Sequence, residues 1–278
     1  MPGARSFRTS VQSIPHAVWT DIVASGTRHN DEAMWAAGNP ARLTATAAGL
    51  HIVTANLSTA ANATGARLFR VVSNAGRYEA LCGHAPEAAV ECSASLAALV
   101  NAAPGDFYAG GIYQGSGAAL NTATAGAPYA ADLCLTRLAA GTIGIRRESA
   151  AAQSIPHGVT TVLTHDTTAF DVGVGGISAD RLVAPVDGTY VIFAGAHLPA
   201  ASGSVSAQYL SVLANGVVLG LSAPGTSAAS ITGWSACATW PLVAGDYVQA
   251  AITQFSGLAR LTDTANLRPY LAMARIGP

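Results

Sequence analysis

The chain has 278 residues, half of them hydrophobic, with 14 basic against 15 acidic side chains and a net charge of −1. Only 10% of residues are charged, against roughly 25% in an average soluble domain, and no basic cluster exceeds Arg146-Arg147, which argues against a nucleic-acid binder that must neutralise phosphates. No apolar run reaches the roughly 18 residues of a bilayer-spanning helix, so membrane insertion is not expected.

The N-terminal Met1-Pro2-Gly3-Ala4-Arg5 lacks the apolar core of a signal peptide, which implies synthesis in the cytoplasm. Gln12-Ser13-Ile14-Pro15-His16 comes next, and it returns 141 residues later as Gln153-Ser154-Ile155-Pro156-His157. Other landmarks keep offsets of 138 to 141. Arg42-Leu43 answers Arg181-Leu182, Gly49 answers Gly188, and Asn74-Ala75-Gly76 answers Asn215-Gly216. Gly105-Asp106-Phe107 answers Gly245-Asp246-Tyr247, and Leu135 to Leu138 answers Met273 to Ile276. A drift this small along the whole length implies two copies of one domain, residues 1–142 and 143–278.

Within copy one, Glu87 to Ala103 is rich in Ala and Leu and would pass for a helix on propensity. Its counterpart, Thr232 to Val243, contains Thr, Trp and Pro241 and reads as a strand, so both are assigned as strands. In copy two, Thr189 to Ala194 is apolar on both alternating faces, the pattern of a strand covered on both sides. Tyr209 to Leu213, a turn at Asn215-Gly216, and Val217 to Leu221 form a hairpin, because Asn-Gly accepts the positive φ a tight turn needs. Tyr247 to Phe255 is a strand with Val248, Ala250 and Ile252 on one face and Tyr247, Gln249 and Phe255 on the other. Tyr270 to Ile276 closes the copy. Short, evenly spaced strands with Gly, Asn and Pro turns indicate an all-β chain of two antiparallel sandwiches.

In this order and spacing the landmarks resemble the C1q/TNF-like jelly roll, in the variety found in bacteriophage structural proteins. The residues that carry the likeness are Gln-Ser-Ile-Pro, Arg181-Leu182, Asp187-Gly188-Thr189-Tyr190, Asn215-Gly216, Ala244 to Val248 and Pro269 to Ile276. Copy one departs from it at Leu50-His51 and by a turn one residue longer at Asn74-Ala75-Gly76. The resemblance implies tandem jelly rolls, each a ten-stranded sandwich, assembling as a homotrimer around an apolar axis. Tyr190, Ile192, Phe193, Tyr247, Val248, Ile252 and Phe255 are then expected in the core or at the subunit contact.

Groupings that could do chemistry are weaker. Cys82, Cys92, Cys134 and Cys237 show no repeated disulfide framework and read as small buried hydrophobes. His16 and His157, equivalent in the two copies and each following proline, read as structural. Asp166, Asp171 and Asp180 with His165 could offer oxygens to Ca2+, but their spacing fits no dedicated loop and copy one has only Asp31 and Glu32 there. Gly173 to Gly176 lacks the helix a phosphate loop requires, and Gly110-Gly111 and Gly115 to Gly117 read as turns. No serine sits in a nucleophile elbow. Trp19, Trp35, Trp234 and Trp240 read as core or interface, with sugar stacking at an exposed edge as the sharper option. No catalytic, metal or cofactor residue is assigned.

The expectation is a non-enzymatic virion structural protein, a trimeric jelly roll displayed on a phage capsid or tail after assembly in the host cytoplasm. Its partners would be other capsid or tail proteins and a host cell-surface glycan. The alternative is a carbohydrate-binding, lectin-like adhesin outside any virion.

Overall fold

The computed structural model describes the chain except residues 86, 87, 90, 124–130, 200–206, 223–231 and 266; Glu87, where the alanine-rich segment was expected to begin, lies outside the described residues. The chain divides into two compact units, Met1–Leu138 and Ala139–Pro278. Both are all-β and antiparallel. Among the described residues the one helical element is a short 3-10 turn at Asp31–Ala33, and no helix is long and apolar enough to cross a membrane.

Unit 1 contains β1 (Gly3–Arg8), β2 (Ser13–Ile14), β3 (Thr20–Asp21), β4 (Gly26–Asn30), β5 (Leu43–Thr44), β6 (Gly49–Thr59), β7 (Arg67–Ser73), β8 (Tyr78–His84), β9 (Cys92–Ala102), β10 (Phe107–Gln114), β11 (Leu120–Asn121) and β12 (Ala131–Arg137). One sheet runs β4-β1-β12-β6-β9 and a second β3-β10-β7-β8, with β5 paired to the start of β10 and β2 paired to β11. Alternation sets what each strand buries. Val53, Ala55 and Leu57 of β6 and Leu133 and Leu135 of β12 join Phe69 and Val71 of β7 and Ile112 of β10 in one apolar cluster. Two sheets therefore share a single core.

Unit 2 repeats the plan with β13 (Gly144–Glu148), β14 (Ser154–Ile155), β15 (Thr161–Val162), β16 (Thr167–Val172), β17 (Ile177–Ser178), β18 (Arg181–Val183), β19 (Gly188–Leu198), β20 (Gln208–Ala214), β21 (Val217–Ser222), β22 (Thr232–Leu242), β23 (Tyr247–Gln254), β24 (Arg260–Leu261) and β25 (Tyr270–Gly277). Its sheets run β16-β13-β25-β19-β22 and β17-β18-β23-β20-β21, with β15 on β23 and β14 on β24. The order is that of unit 1, with β17 added beside β18.

The alanine-rich segment is β9, paired with β6 along its whole length. Ala94, Leu96, Ala98 and Val100 enter the core while Ser93, Ser95 and Asn101 are exposed. A period of two thus overrides helix propensity, which is only a weak prior. Pro241 is tolerated in β22 because that strand is an edge, where no second neighbour needs its missing N–H. The hairpin of β20 and β21 turns through Asn215 (φ 48°) and Gly216 (φ 80°), the paired positive φ that matches the twist of the strands.

Tyr190, Ile192, Val248 and Ile252 lie in the core of unit 2. Phe193 points to the reverse face of β19, where it is only 2% exposed. On that face Tyr270 lies flat over Gly195, where a Cβ would come within 2.1 Å of its ring, and the Arg146 guanidinium sits 4.0 Å from the ring centre. Arg146 also donates to Glu148 at 2.9 Å. Tyr247 is half-buried, and Phe255, one position beyond β23, is 36% exposed. Gly110 and Gly111 correct an expectation: they sit inside β10, not in a turn. Gly110 makes room for Leu57, 3.3 Å from where its Cβ would be.

Candidate functional site

The repeated pentapeptide is a set of clamps. Gln12 accepts from the Val23 N–H at 3.0 Å, donates through Nε2 to the Asp21 carbonyl at 2.9 Å, and gives its backbone N–H to Thr122 Oγ1 at 3.0 Å. Gln153 does the same with Thr164, Val162 and Thr262 at 2.9, 2.8 and 2.9 Å. Ile14 and Ile155 are fully buried. His16 Nδ1 accepts from the Gly117 N–H at 3.0 Å, and His157 Nδ1 from the Gly257 N–H at 2.9 Å. With that lone pair occupied, each ring holds a turn in place.

The same turns are held from beneath by a buried glutamine. Gln114 Nε2 donates to the carbonyls of Ile14 and Ala118, and its Oε1 accepts from both N–H and Oγ of Ser116. Gln254 bonds Ile155, Leu258 and Ser256 in the same way. At the opposite end of each unit, Asn74 donates to Asp106 and Asn215 to Asp246, and a guanidinium covers the ring that follows: Arg42 over Phe107 at 4.2 Å, Arg181 over Tyr247 at 4.6 Å. What the copies share is scaffold.

The candidate calcium ligands are not brought together. Asp166 accepts from the Ala150 N–H, Asp171 from the N–H groups of Val174 and Gly175, and Asp180 from Arg181 and Ser178. The hydrogen bond from Arg181, then that from Ser178, holds the Asp180 carboxyl well below the usual range. His165 is buried, and desolvation lowers its pKa to about 4. In unit 1 Asp31 accepts from the Gly3 N–H, and Glu32 pairs with Arg137 and Thr46. Among the described residues no group of three or more His, Cys, Asp or Glu is placed to hold a metal ion.

Among the described residues, Cys82 Sγ lies 3.4 Å from His84 Nε2. Burial pushes the thiol up to about 12 and the imidazole down, so the pair is neutral on both sides, the reverse of an activated thiolate. His197 Nδ1 lies 2.8 Å from Asp263 Oδ2. Desolvation lowers its pKa against the pull of Asp263.

A different grouping stands on the outward face of the β3-β10-β7-β8 sheet of unit 1. Trp19, just before β3, meets the Tyr78 ring edge-on and the Tyr113 ring at a 48° tilt, both with centroids 5.7 Å away. Arg70 of β7 lays its guanidinium 4.3 Å from the Trp19 ring centre and 5.1 Å from that of Tyr78. It donates to the Tyr78 hydroxyl at 3.1 Å and to Asp21 at 3.3 Å. Trp19, Tyr78, Tyr113 and Arg70 are half-buried, and Asp21 is exposed. Register assembles them: Gly111 of β10 pairs with Asp21 on one side and Arg70 on the other.

Unit 2 keeps the frame and loses every member of the cluster. Its β23 pairs with β15 and β20 as β10 does with β3 and β7, which puts Thr160, Val162, Ser211, Val218 and Thr253 where unit 1 has Trp19, Asp21, Arg70, Tyr78 and Tyr113. Thr160 and Thr253 share a hydrogen bond of 2.8 Å where the two rings of unit 1 meet. Gly111 becomes Ala251. A Cβ on Gly111 would lie 3.0 Å from both Arg70 Nε and Asp21 Oδ1, so the glycine is what lets the ion pair lie flat on the sheet.

The four tryptophans thus divide. Trp234 is wholly buried and Trp35 packs on the core, whereas Trp240 is 45% exposed and Trp19 belongs to the cluster. Sequence reasoning missed Asp21, Arg70, Tyr78 and Tyr113. The sequence held no signal that singled them out, because β7 and β10 differ from β20 and β23 at most of their aligned positions.

No protein-family model matches the chain, and no curated protein matches it. Among solved structures it is similar to murine APRIL at pH 5.0, with 14% identity and a TM-score of 0.35 over 48% of this chain and 98% of that one. It is also similar to the globular domain of zebrafish complement 1qA, with 17% identity and a TM-score of 0.32 over 48% of this chain and 93% of that one.

Proposed function

We propose that each unit is a C1q/TNF-type jelly roll and that the chain is a non-enzymatic, trimeric structural protein of a bacteriophage-like particle, displayed on its capsid or tail beside other virion proteins. The observation that carries the structural reading is the matched set of clamps. The repeated glutamines, histidines and asparagines described above bond to the protein's own backbone or to another residue of the frame, so what duplication has preserved there is architecture. Self-association is supported by the scarcity of charge and by the edge strand β21, where Val217, Val218 and Leu221 are 63%, 56% and 58% exposed. An apolar, uncharged edge invites a neighbour. Placement on a particle rests on the sequence resemblance.

Light scattering of the purified protein tests the assembly: a mass near three chains is expected, and a clean monomer at micromolar concentration overturns it. Reading frames for capsid, portal or tail proteins beside the gene are expected as well. A metabolic operon there would overturn the particle assignment while leaving the trimer standing.

A further inference from the structure

We infer that the Trp19–Tyr113–Tyr78–Arg70–Asp21 cluster of unit 1 is a saccharide-binding site that takes the pyranose ring of a neutral glycan. This goes beyond a structural role and stands whether or not the chain belongs to a particle. Three half-buried aromatic rings gather at one place on a sheet whose counterpart in unit 2 has Thr and Val at those positions, its own pair, Tyr209 with Phe255, standing beside them. The frame folds with Thr, Ser and Val at those positions, so the rings are not needed to hold it. Aromatic faces suit the C–H face of a sugar, which is apolar while its rim is polar.

The polar members select among ligands. Arg70 is neutralised by Asp21 at 3.3 Å, so an anion would compete with the carboxylate and a cation would meet the guanidinium. Together the pair offers donors and an acceptor side by side, which matches adjacent hydroxyls, each able to donate and accept. A wholly apolar partner would desolvate that ion pair without compensation. Gly111 fits the same purpose, since its lack of a side chain leaves room for Arg70 Nε and Asp21 Oδ1, each 3.0 Å from where a Cβ would stand.

The test uses the full chain and the variants Trp19→Thr, Tyr113→Thr and Arg70→Ser, each introducing the residue that unit 2 carries there. Saturation-transfer NMR with methyl pyranosides of glucose, galactose, mannose, N-acetylglucosamine and N-acetylgalactosamine, followed by a glycan array, reads binding. At least one pyranoside is expected to bind the parent. Loss of one ring should weaken that binding about tenfold or more, as truncation of a buried aromatic anchor does, with melting unchanged. Trp240→Thr, an exposed tryptophan in unit 2, should have no effect. Absence of binding across the panel and array, or binding that survives all three variants, overturns the inference. So does a change in oligomeric mass in Trp19→Thr, which would mean that the patch is covered by a second copy. A monomeric parent that still binds sugar would sink the trimer alone.

Discussion

Gln114 and Gln254, in different units, make the same hydrogen bonds: each donates at 2.8 Å to the carbonyl four residues ahead and accepts at 2.8 and 2.6 Å from the serine two residues ahead. Both side chains are fully buried. Replacing Gln254 with Ala would take the side-chain partner from the Ile155 carbonyl and the Ser256 N–H, while the Leu258 carbonyl keeps the Ser256 hydroxyl at 3.1 Å. Each such orphan costs about 1–3 kcal/mol. Gln254→Ala and Gln114→Ala are each expected to lower stability by about 2–4 kcal/mol in urea unfolding.

Acid should weaken the protein through His165. Desolvation, with Arg147 adding to it and Asp166 opposing, holds its folded pKa at about 4, well below the usual 6.5 of a histidine. The unfolded chain therefore binds this proton more readily. Stability from this group is complete above about pH 6.5 and falls as the pH drops towards 4, by about 3 kcal/mol over the window. His165→Leu should flatten that part of the stability profile. An unchanged slope would show the ring is not buried as neutral imidazole.

Gly195 and Tyr270 form a fitted pair. A methyl at Gly195 would sit 2.1 Å from the Tyr270 ring, which the Arg146 guanidinium covers. Gly195→Ala should cost about 1–3 kcal/mol, as overpacking does. The same change on a Tyr270→Leu background should cost much less. Equal costs in a double-mutant cycle would mean the ring does not lie there.

Alkylation should rank the thiols. Cys82 is buried with its pKa pushed up to about 12, whereas Cys237 is exposed. Iodoacetamide at pH 8 should modify Cys237 early and Cys82 only on unfolding, followed by peptide mass spectrometry. Rapid native labelling of Cys82 would reopen the question of a reactive cysteine.

Much of the scaffold was legible because it is repeated. The pentapeptide, the Asn-Gly turn and the Gly-Asp turns all occupy equivalent places, and the repeat was enough to read β9 as a strand against its alanine content. Gly110-Gly111 misled for a physical reason: glycine marks a turn when the backbone needs positive φ, but here it marks a close approach inside a strand. The aromatic cluster was not legible because its members lie up to 94 residues apart, at Trp19 and Tyr113. Only the pairing of β3, β10, β7 and β8 makes them neighbours.

The contrast between Gly111 and Ala251 bears on how such a surface can be transplanted. Grafting Trp, Asp, Arg, Tyr and Tyr onto the second unit would set the Ala251 methyl against the incoming arginine and aspartate, so Ala251→Gly belongs with the set. A bivalent version of this protein is therefore six substitutions away, and the least conspicuous of them makes room for two of the rest.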